Sequence, residues 1–253
     1  MDIHIKYMKR CIELATRGIR NTYPNPMVGC IIVHNNKIIG EGFHEAYGSS
    51  HAEVNAINSV INQDLLSKST LYVNLEPCNH FGKTPPCTKL IIDRGIKNVI
   101  IGSRDPNSLV KGGGINTLIS SGCNVEHGIM KDKCDELNKR FFTFHNQRRP
   151  YVILKWAESK DGFISPRKSD RNEQKIFWIS NEQSKKMSHS FRSQEHSILV
   201  GVQTVIDDDP ELTTRLVDGK NPIRIVLDPN NRIPNNSKVL SPESETIIFS
   251  KTK

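Results

Sequence analysis

The sequence predicts an α/β protein of two layered units. Strand-like and helix-like segments alternate along the chain, the pattern restarts after a polar break at 147–150, and 253 residues suffice for two cores. In the first unit, residues 1–18 form an amphipathic helix with Ile5, Met8, Ile12 and Ala15 near helical spacing. The apolar run 28–33, the turn-like 34–36 and the run 37–42 predict a hairpin. A helix follows over 51–61, with Ala52, Ala56, Ile57 and Val60 on one face. Residues 70–75 read as a buried strand, 87–94 as a helix, 98–102 as a strand, 115–121 as a helix closed by Gly122, and 123–127 as a strand. A single amphipathic helix is expected over 131–146. The sheet should be largely parallel.

The second unit opens with a strand at 151–156 and a charged loop at 166–174. A helix over 180–193 is capped by Ser180 or Asn181, and strands are expected within 197–201 and 222–228 and from 246 to 249. The expected division is therefore 1–146 and 151–253.

Composition limits the classes. No apolar run approaches the roughly 20 residues of a membrane-spanning helix, and the N-terminus lacks the apolar core of a secretion signal. Neither membrane association nor export is expected, so the predicted location is cytoplasmic. The formal charge is +8, but it is spread: seventeen basic residues against thirteen acidic up to Asn146, and eighteen against fourteen beyond. Nucleic-acid binders usually concentrate their charge, so no nucleic-acid partner is expected.

Six cysteines in a cytosolic chain argue against disulfides. Cys11, Cys30, Cys123 and Cys134 lie in apolar patterns and read as small buried hydrophobes. Cys78 and Cys87 lie in a polar, proline-punctuated loop instead. With His51 they form a catalytic zinc set: one imidazole, two thiolates and a fourth position left for water, whose pKa the ion lowers. Glu53, two residues past the histidine, reaches that water without being a ligand and serves as the general base. His-x-Glu followed by Pro-Cys is the signature of zinc base deaminases. Eight residues separate the cysteines, where that signature has two. The longer loop carries Asn79, His80 and Lys83, which suits a polar, phosphorylated substrate. His80 lies between the cysteines, so a four-ligand structural zinc site in a non-catalytic binding module stays open as an alternative. So does a deaminase of another base, such as a tRNA adenosine.

Four fragments together resemble the bifunctional deaminase/reductase family of riboflavin biosynthesis. They are Pro24-Asn-Pro-Met-Val-Gly29, His51-Ala-Glu53, Glu76-Pro-Cys-Asn-His-Phe-Gly-Lys-Thr-Pro-Pro-Cys87 and Asp105-Pro-Asn-Ser-Leu-Val-Lys-Gly-Gly-Gly114. Ser108 stands where the family often has proline. The resemblance implies a three-layer α/β/α, cytidine-deaminase-like zinc domain. Its substrate would be 2,5-diamino-6-ribosylamino-4(3H)-pyrimidinone 5′-phosphate, a small phosphorylated pyrimidine, with Asn25, His44 and His80 at the substrate and Lys83 paired with its phosphate. On the residues alone, Asn25 reads as a turn residue between prolines and His44 as a loop histidine.

The likeness continues through Lys155-Trp-Ala-Glu-Ser-Lys-Asp-Gly162, Phe177-Trp-Ile-Ser180, Arg192 and the run 198–215. Lys160 replaces a usual leucine, and the stretch between Gly162 and Trp178 is long and charged. The implied second domain is dihydrofolate-reductase-like and uses NADPH to reduce the ribosyl group. By position Glu158, Trp178, Thr204 and Asp208 would contact NADPH, and Arg192, Leu212 and Arg215 the substrate. Lys155 would lie nearby. The family is expected to continue beyond Lys253 with a glycine-rich turn for the cofactor phosphates, so this reductase domain is expected to be incomplete. Its sheet edge would favour association into a homo-oligomer.

Overall fold

The computed structural model describes residues 3–81, 85–107, 110, 112–166 and 178–251. It divides into two compact units, Met1–Val152 and Ile153–Lys253.

In the first unit, helix α1 (Ile3–Thr16) leads to strands β1 (Gly29–His34) and β2 (Lys37–Phe43), helix α2 (Ala52–Asn58) and strand β3 (Thr70–Leu75). Helix α3 (Cys87–Asp93), strand β4 (Asn98–Ser103), helix α4 (Gly113–Ser120) and strand β5 (Asn124–His127) follow, then helices α5 (Lys131–Leu137) and α6 (Lys139–Gln147). The sheet order is β2-β1-β3-β4-β5. The expected hairpin pairs β1 with β2. Asn35 and Asn36 turn it at φ 48° and 59°, the left-handed region that asparagine tolerates and tight hairpins need. β1 is also antiparallel to β3, while β3, β4 and β5 run parallel, so the sheet is mixed.

Alternation along the strands makes three layers. Cys30 and Ile32 of β1 face the core beneath α2, α3 and α4, where Ala56, Ile57, Ile91, Ile115 and Leu118 are buried. Ile31 and Val33 face the opposite side, beneath α1, with Tyr7, Met8, Cys11 and Leu14. The apolar stripe of α1 centres on these residues and Ala15; Ile5 and Ile12 are half-buried at its margins. Cys11, Cys30, Cys123 and Cys134 are unpaired and buried, as expected.

Gly42 lets α2 lie directly on β2. A β-carbon there would sit 2.3 Å from the backbone nitrogen of Ala56 and 2.7 Å from the carbonyl of Ala52. Backbone cannot yield as a flexible side chain can, so Gly42→Ala is expected to destabilise the unit by about 1–3 kcal/mol. Urea unfolding followed by circular dichroism checks this.

One expectation fails in this region. The helix expected over 131–146 is two helices broken at Asn138 (φ −104°, ψ 23°), whose side chain turns inward to bond a distant backbone segment. Strand β1 alone runs against the other four, because the two-residue turn at Asn35–Asn36 can only return the chain antiparallel, whereas the connection from β2 to β3 carries α2 and keeps the direction.

In the second unit, helix α7 (Glu182–Gln194) precedes strand β6 (Ser197–Gly201), helix α8 (Val202–Asp208), strand β7 (Ile223–Leu227) and strand β8 (Thr246–Phe249). Asn181 caps α7, its side-chain oxygen accepting from the Ser184 N–H. The sheet is parallel, in order β6-β7-β8. Val202, Val205, Leu212, Val226 and Val239 form its core. The strand expected at 151–156 is absent: among the described residues that segment pairs with no strand, and Leu154 and Trp156 are exposed. The apolar run at 151–154 suits a strand, but a strand needs a hydrogen-bonded neighbour. Helix α8 was not anticipated. Among the described residues no helix is long and apolar enough to cross a membrane.

Candidate metal and deaminase site

Local geometry explains why three distant residues meet. β3 ends at Leu75, and the chain turns out of the sheet through Glu76-Pro77 to present Cys78. His51 immediately precedes α2, and Cys87 opens α3 behind Pro86. Both helix starts therefore aim at the end of β3, the usual position for a site in a layered α/β fold. The ligand atoms of His51, Cys78 and Cys87 lie within 4.8 Å of one another. His51 Nδ1 is 3.3 Å from Cys87 Sγ and 3.5 Å from Cys78 Sγ. Tetrahedral zinc, at about 2.0 Å to nitrogen and 2.3 Å to sulfur, would place its nitrogen and sulfur ligands about 3.5 Å apart. The donor set and its spacing fit that ion.

The electrostatics agree. A hydrogen bond from the Cys87 thiol, helped by His51, pulls Cys78 down to about 4. The Cys87 N–H at the start of α3 also donates to the Cys78 sulfur, at 3.4 Å. Cys87 is pushed well up by sharing its proton with Cys78 and by burial. The hydrogen bond to Cys78 raises His51 to about 8. The cluster thus has thiolate character before any metal arrives, and a cation would displace the remaining protons.

Glu53 is 3% exposed in the first turn of α2, with its carboxyl beside the Cys87 thiol. Burial, then the negative charge of Cys78, raises its pKa, against the pull of His51. A buried carboxyl with raised proton affinity is suited to proton transfer.

Asn25 and His44 meet beside this cluster. The Asn25 Nδ2 donates to His44 Nε2 at 3.1 Å, and His44 Nδ1 lies 3.1 Å from the Ser50 carbonyl. The carbonyl can only accept, so Nδ1 carries the proton and Nε2 accepts. Burial lowers the pKa of His44, which keeps it neutral. Its ring meets that of His51 edge-on at 5.6 Å. His80 is exposed and is not among the three clustered donors. Lys83 lies outside the described residues, as do Ser108 and Phe177.

Sequence reasoning gave Glu76 no role. Its carboxylate is 4% exposed and accepts from the N–H groups of Asp105, Gly112 and Ile115, each at 3.1 Å. It ties the segment bearing Cys78 to the start of α4. Gly114 permits this approach, since a β-carbon there would lie 2.0 Å from the Pro77 carbonyl. Asp105 beside it is raised to about 7, mainly by burial. Glu76→Gln puts an N–H₂ group where only acceptors fit. A loss of about 1–3 kcal/mol is expected, seen as a lower melting temperature of the zinc-loaded protein.

In the second unit, Arg192 of α7 donates to the Thr213 carbonyl at 3.0 Å. Arg215 pairs with Glu211 at 2.8 Å, and its backbone N–H donates to His189 Nδ1 at 2.9 Å. Leu212 lies between, buried, at φ 56°. The loop is also fixed by Arg224, fully buried on β7, which donates to the Glu211 carbonyl. Neither His189 nor Arg224 was anticipated. Burial and the proximity of Arg215 lower the pKa of Arg192, the mark of two cations held near each other. Thr204 and Asp208 stand one turn apart on the exposed side of α8. Trp178 is exposed, with Lys185 Nζ 3.8 Å above its ring, and Glu158 accepts from the Trp156 indole N–H at 3.0 Å. Lys155 is exposed.

Residues 1–103 match the cytidine and deoxycytidylate deaminase zinc-binding region, and residues 150–253 match the RibD C-terminal domain. The riboflavin biosynthesis protein RibD of Aquifex aeolicus is 43% identical over 252 residues, which are 99% of this chain and 69% of that protein. The protein of the same name from Escherichia coli is 37% identical, covering 95% of this chain and 67% of that one. The one from Actinobacillus pleuropneumoniae is 45% identical over 91% of this chain but 59% of its own length. This chain thus spans roughly two thirds of its relatives' length. A crystal structure of a diaminohydroxyphosphoribosylaminopyrimidine deaminase/5-amino-6-(5-phosphoribosylamino)uracil reductase from Thermotoga maritima superposes with a TM-score of 0.90 at 39% identity, over 99% of this chain and 70% of that one. The expected fold class holds: a cytidine-deaminase-like α/β/α zinc domain followed by an α/β reductase-type domain. The chain belongs to the family of bifunctional riboflavin-biosynthesis proteins, which join a zinc-dependent pyrimidine deaminase to a reductase.

Proposed function

We propose that residues 1–146 deaminate 2,5-diamino-6-ribosylamino-4(3H)-pyrimidinone 5′-phosphate, replacing its 2-amino group with oxygen. The observation that carries this reading is the buried Glu53 carboxyl beside a three-donor cluster of His51, Cys78 and Cys87. Zinc held there supplies an electrophile that acidifies water for attack on the ring carbon bearing the amine. Glu53 takes one proton from the water and delivers it to the ring nitrogen; as the new carbonyl forms it takes the remaining hydroxyl proton and passes it to the amine, which departs as ammonia. Asn25 and His44 hold the pyrimidine beside His51; His80 and Lys83 belong to the loop that meets the ribosyl phosphate. Among the described residues three protein donors cluster, so a bound ion would keep a fourth position for solvent, which favours catalysis over a structural zinc site.

Residues 151–253 are assigned to the N-terminal part of an NADPH-dependent reductase domain. Glu158, Trp178, Thr204 and Asp208 would face the cofactor. Arg192, Leu212 and Arg215 would face the phosphorylated product of the first domain, with the paired guanidiniums suited to its phosphate.

Incubating the zinc-loaded chain with the diaminopyrimidinone phosphate and NADPH, and reading products by mass spectrometry, tests both assignments. A deaminated product supports the first, and a product also reduced at the ribosyl group supports the second. Unchanged substrate contradicts the deaminase reading.

A further inference from the structure

The deaminase reading leaves open what holds Asn25 in place. Asn25 lies in the irregular segment before β1, and its own backbone N–H is anchored only locally, to the Thr22 carbonyl at 2.8 Å. Two residues later the chain is gripped from two sides. The Met27 N–H donates to Asn138 Oδ1 at 2.8 Å, and the Met27 carbonyl accepts from Asn138 Nδ2 at 2.9 Å. The same carbonyl accepts from Asn74 Nδ2 at 3.1 Å, while Asn74 Oδ1 accepts from the Gly29 N–H at 2.7 Å. Asn74 is 0% and Asn138 3% exposed. Both carboxamides are thus committed to the backbone of residues 27–29.

The sources of this clamp are informative. Asn74 lies on β3, four residues before Cys78, so the clamp is anchored on the strand whose end leads to a metal ligand. Asn138 sits at the α5–α6 break and reaches a partner 111 residues away. A buried carboxamide that interrupts a helix forgoes local hydrogen bonding, and here it satisfies both polar groups of one distant residue. That fixes the Met27 peptide in both position and rotation. Asn25 is two residues upstream; its Nδ2 is committed to His44 Nε2, and Oδ1 is the acceptor of the pair, with no hydrogen bond to another described residue.

We propose that Asn138 and Asn74 are positioning residues for pyrimidine recognition: by clamping Met27 they hold Asn25 against His44, so that Asn25 Oδ1 is presented as an acceptor to a ring N–H or amino group of the substrate. This rests on the deaminase reading, but the link from Asn138 to Asn25 is physical and can be measured without turnover.

The test compares the zinc-loaded wild type with Asn138→Ala, Asn138→Asp, Asn25→Ala and the double variant Asn25→Ala/Asn138→Ala. Asn138→Asp keeps the acceptor for the Met27 N–H and sets a second acceptor against the Met27 carbonyl, so it breaks one arm of the clamp and remains informative should the alanine variant fold poorly. Nitrogen-15 NMR of the free protein reads the Asn25 side-chain amide and the His44 tautomer. The expected result is loss of the hydrogen-bonded Asn25 signal in Asn138→Ala and a weaker shift in Asn138→Asp, with zinc content unchanged. In the deamination assay, KM should rise about tenfold in Asn138→Ala with little change in kcat, and the double variant should be no worse than Asn25→Ala. An unchanged Asn25 signal, or KM effects that multiply in the double variant, would overturn the proposal. Absent turnover in the wild type would instead reject the deaminase reading, and the NMR comparison would still decide the clamp.

Discussion

Glu53→Gln is expected to keep zinc at wild-type stoichiometry and to lose about 10²–10⁴-fold in kcat for deamination, the range for removing a general acid–base. The amide is nearly isosteric with the carboxyl, so the packing of α2 survives. What disappears is a group that can take a proton and return it. Burial already favours the neutral form of Glu53, so replacing it with a neutral amide costs little stability. Metal analysis alongside steady-state kinetics measures both quantities on one preparation. Full turnover in the variant would remove Glu53 from the mechanism.

Cys87→Ser is expected to have the other large effect, and on a different quantity. Serine offers zinc a poor ligand, and its hydroxyl can still donate to Cys78, so the effect falls on the metal bond rather than on the Cys78 thiolate. The variant should emerge from dialysis without its zinc and without deaminase activity. Its melting temperature should also lose the increment that zinc gives the wild type, because binding to the folded state alone is stabilising. Metal analysis and differential scanning calorimetry, each with and without added zinc, check this. A variant that retains zinc would mean that Cys87 is not a ligand.

The contrast between what was legible in the sequence and what was not has a physical basis. His51, Glu53, Cys78 and Cys87 stood out because their chemistry is unusual at such short spacings, next to helix starts. The apolar run of β1 was legible because both faces of that strand are buried, and the stripe of α1 because burial repeats at the period of the helix. Glu76, Asn74 and Asn138 gave no such signal. Each acts through backbone groups far away in sequence, and backbone groups carry no residue identity. Asn138 even fits the amphipathic pattern it interrupts, which is why one helix was expected where two stand. The segment 151–156 has a strand-like apolar run, but pairing is a property of two segments and the pattern reports only one. His189 and Arg224 belong with these cases, since both fix the loop bearing Leu212 and Arg215 through contacts no local pattern encodes.

The most direct test of the central claim is deamination in water enriched in heavy oxygen, with the zinc-loaded chain and the diaminopyrimidinone phosphate. Hydrolysis at the proposed site predicts that the new carbonyl oxygen carries the solvent label and that ammonia appears in equal amount. Unchanged substrate, or a product whose new oxygen lacks the label, would contradict a hydrolytic deaminase built on His51, Glu53, Cys78 and Cys87.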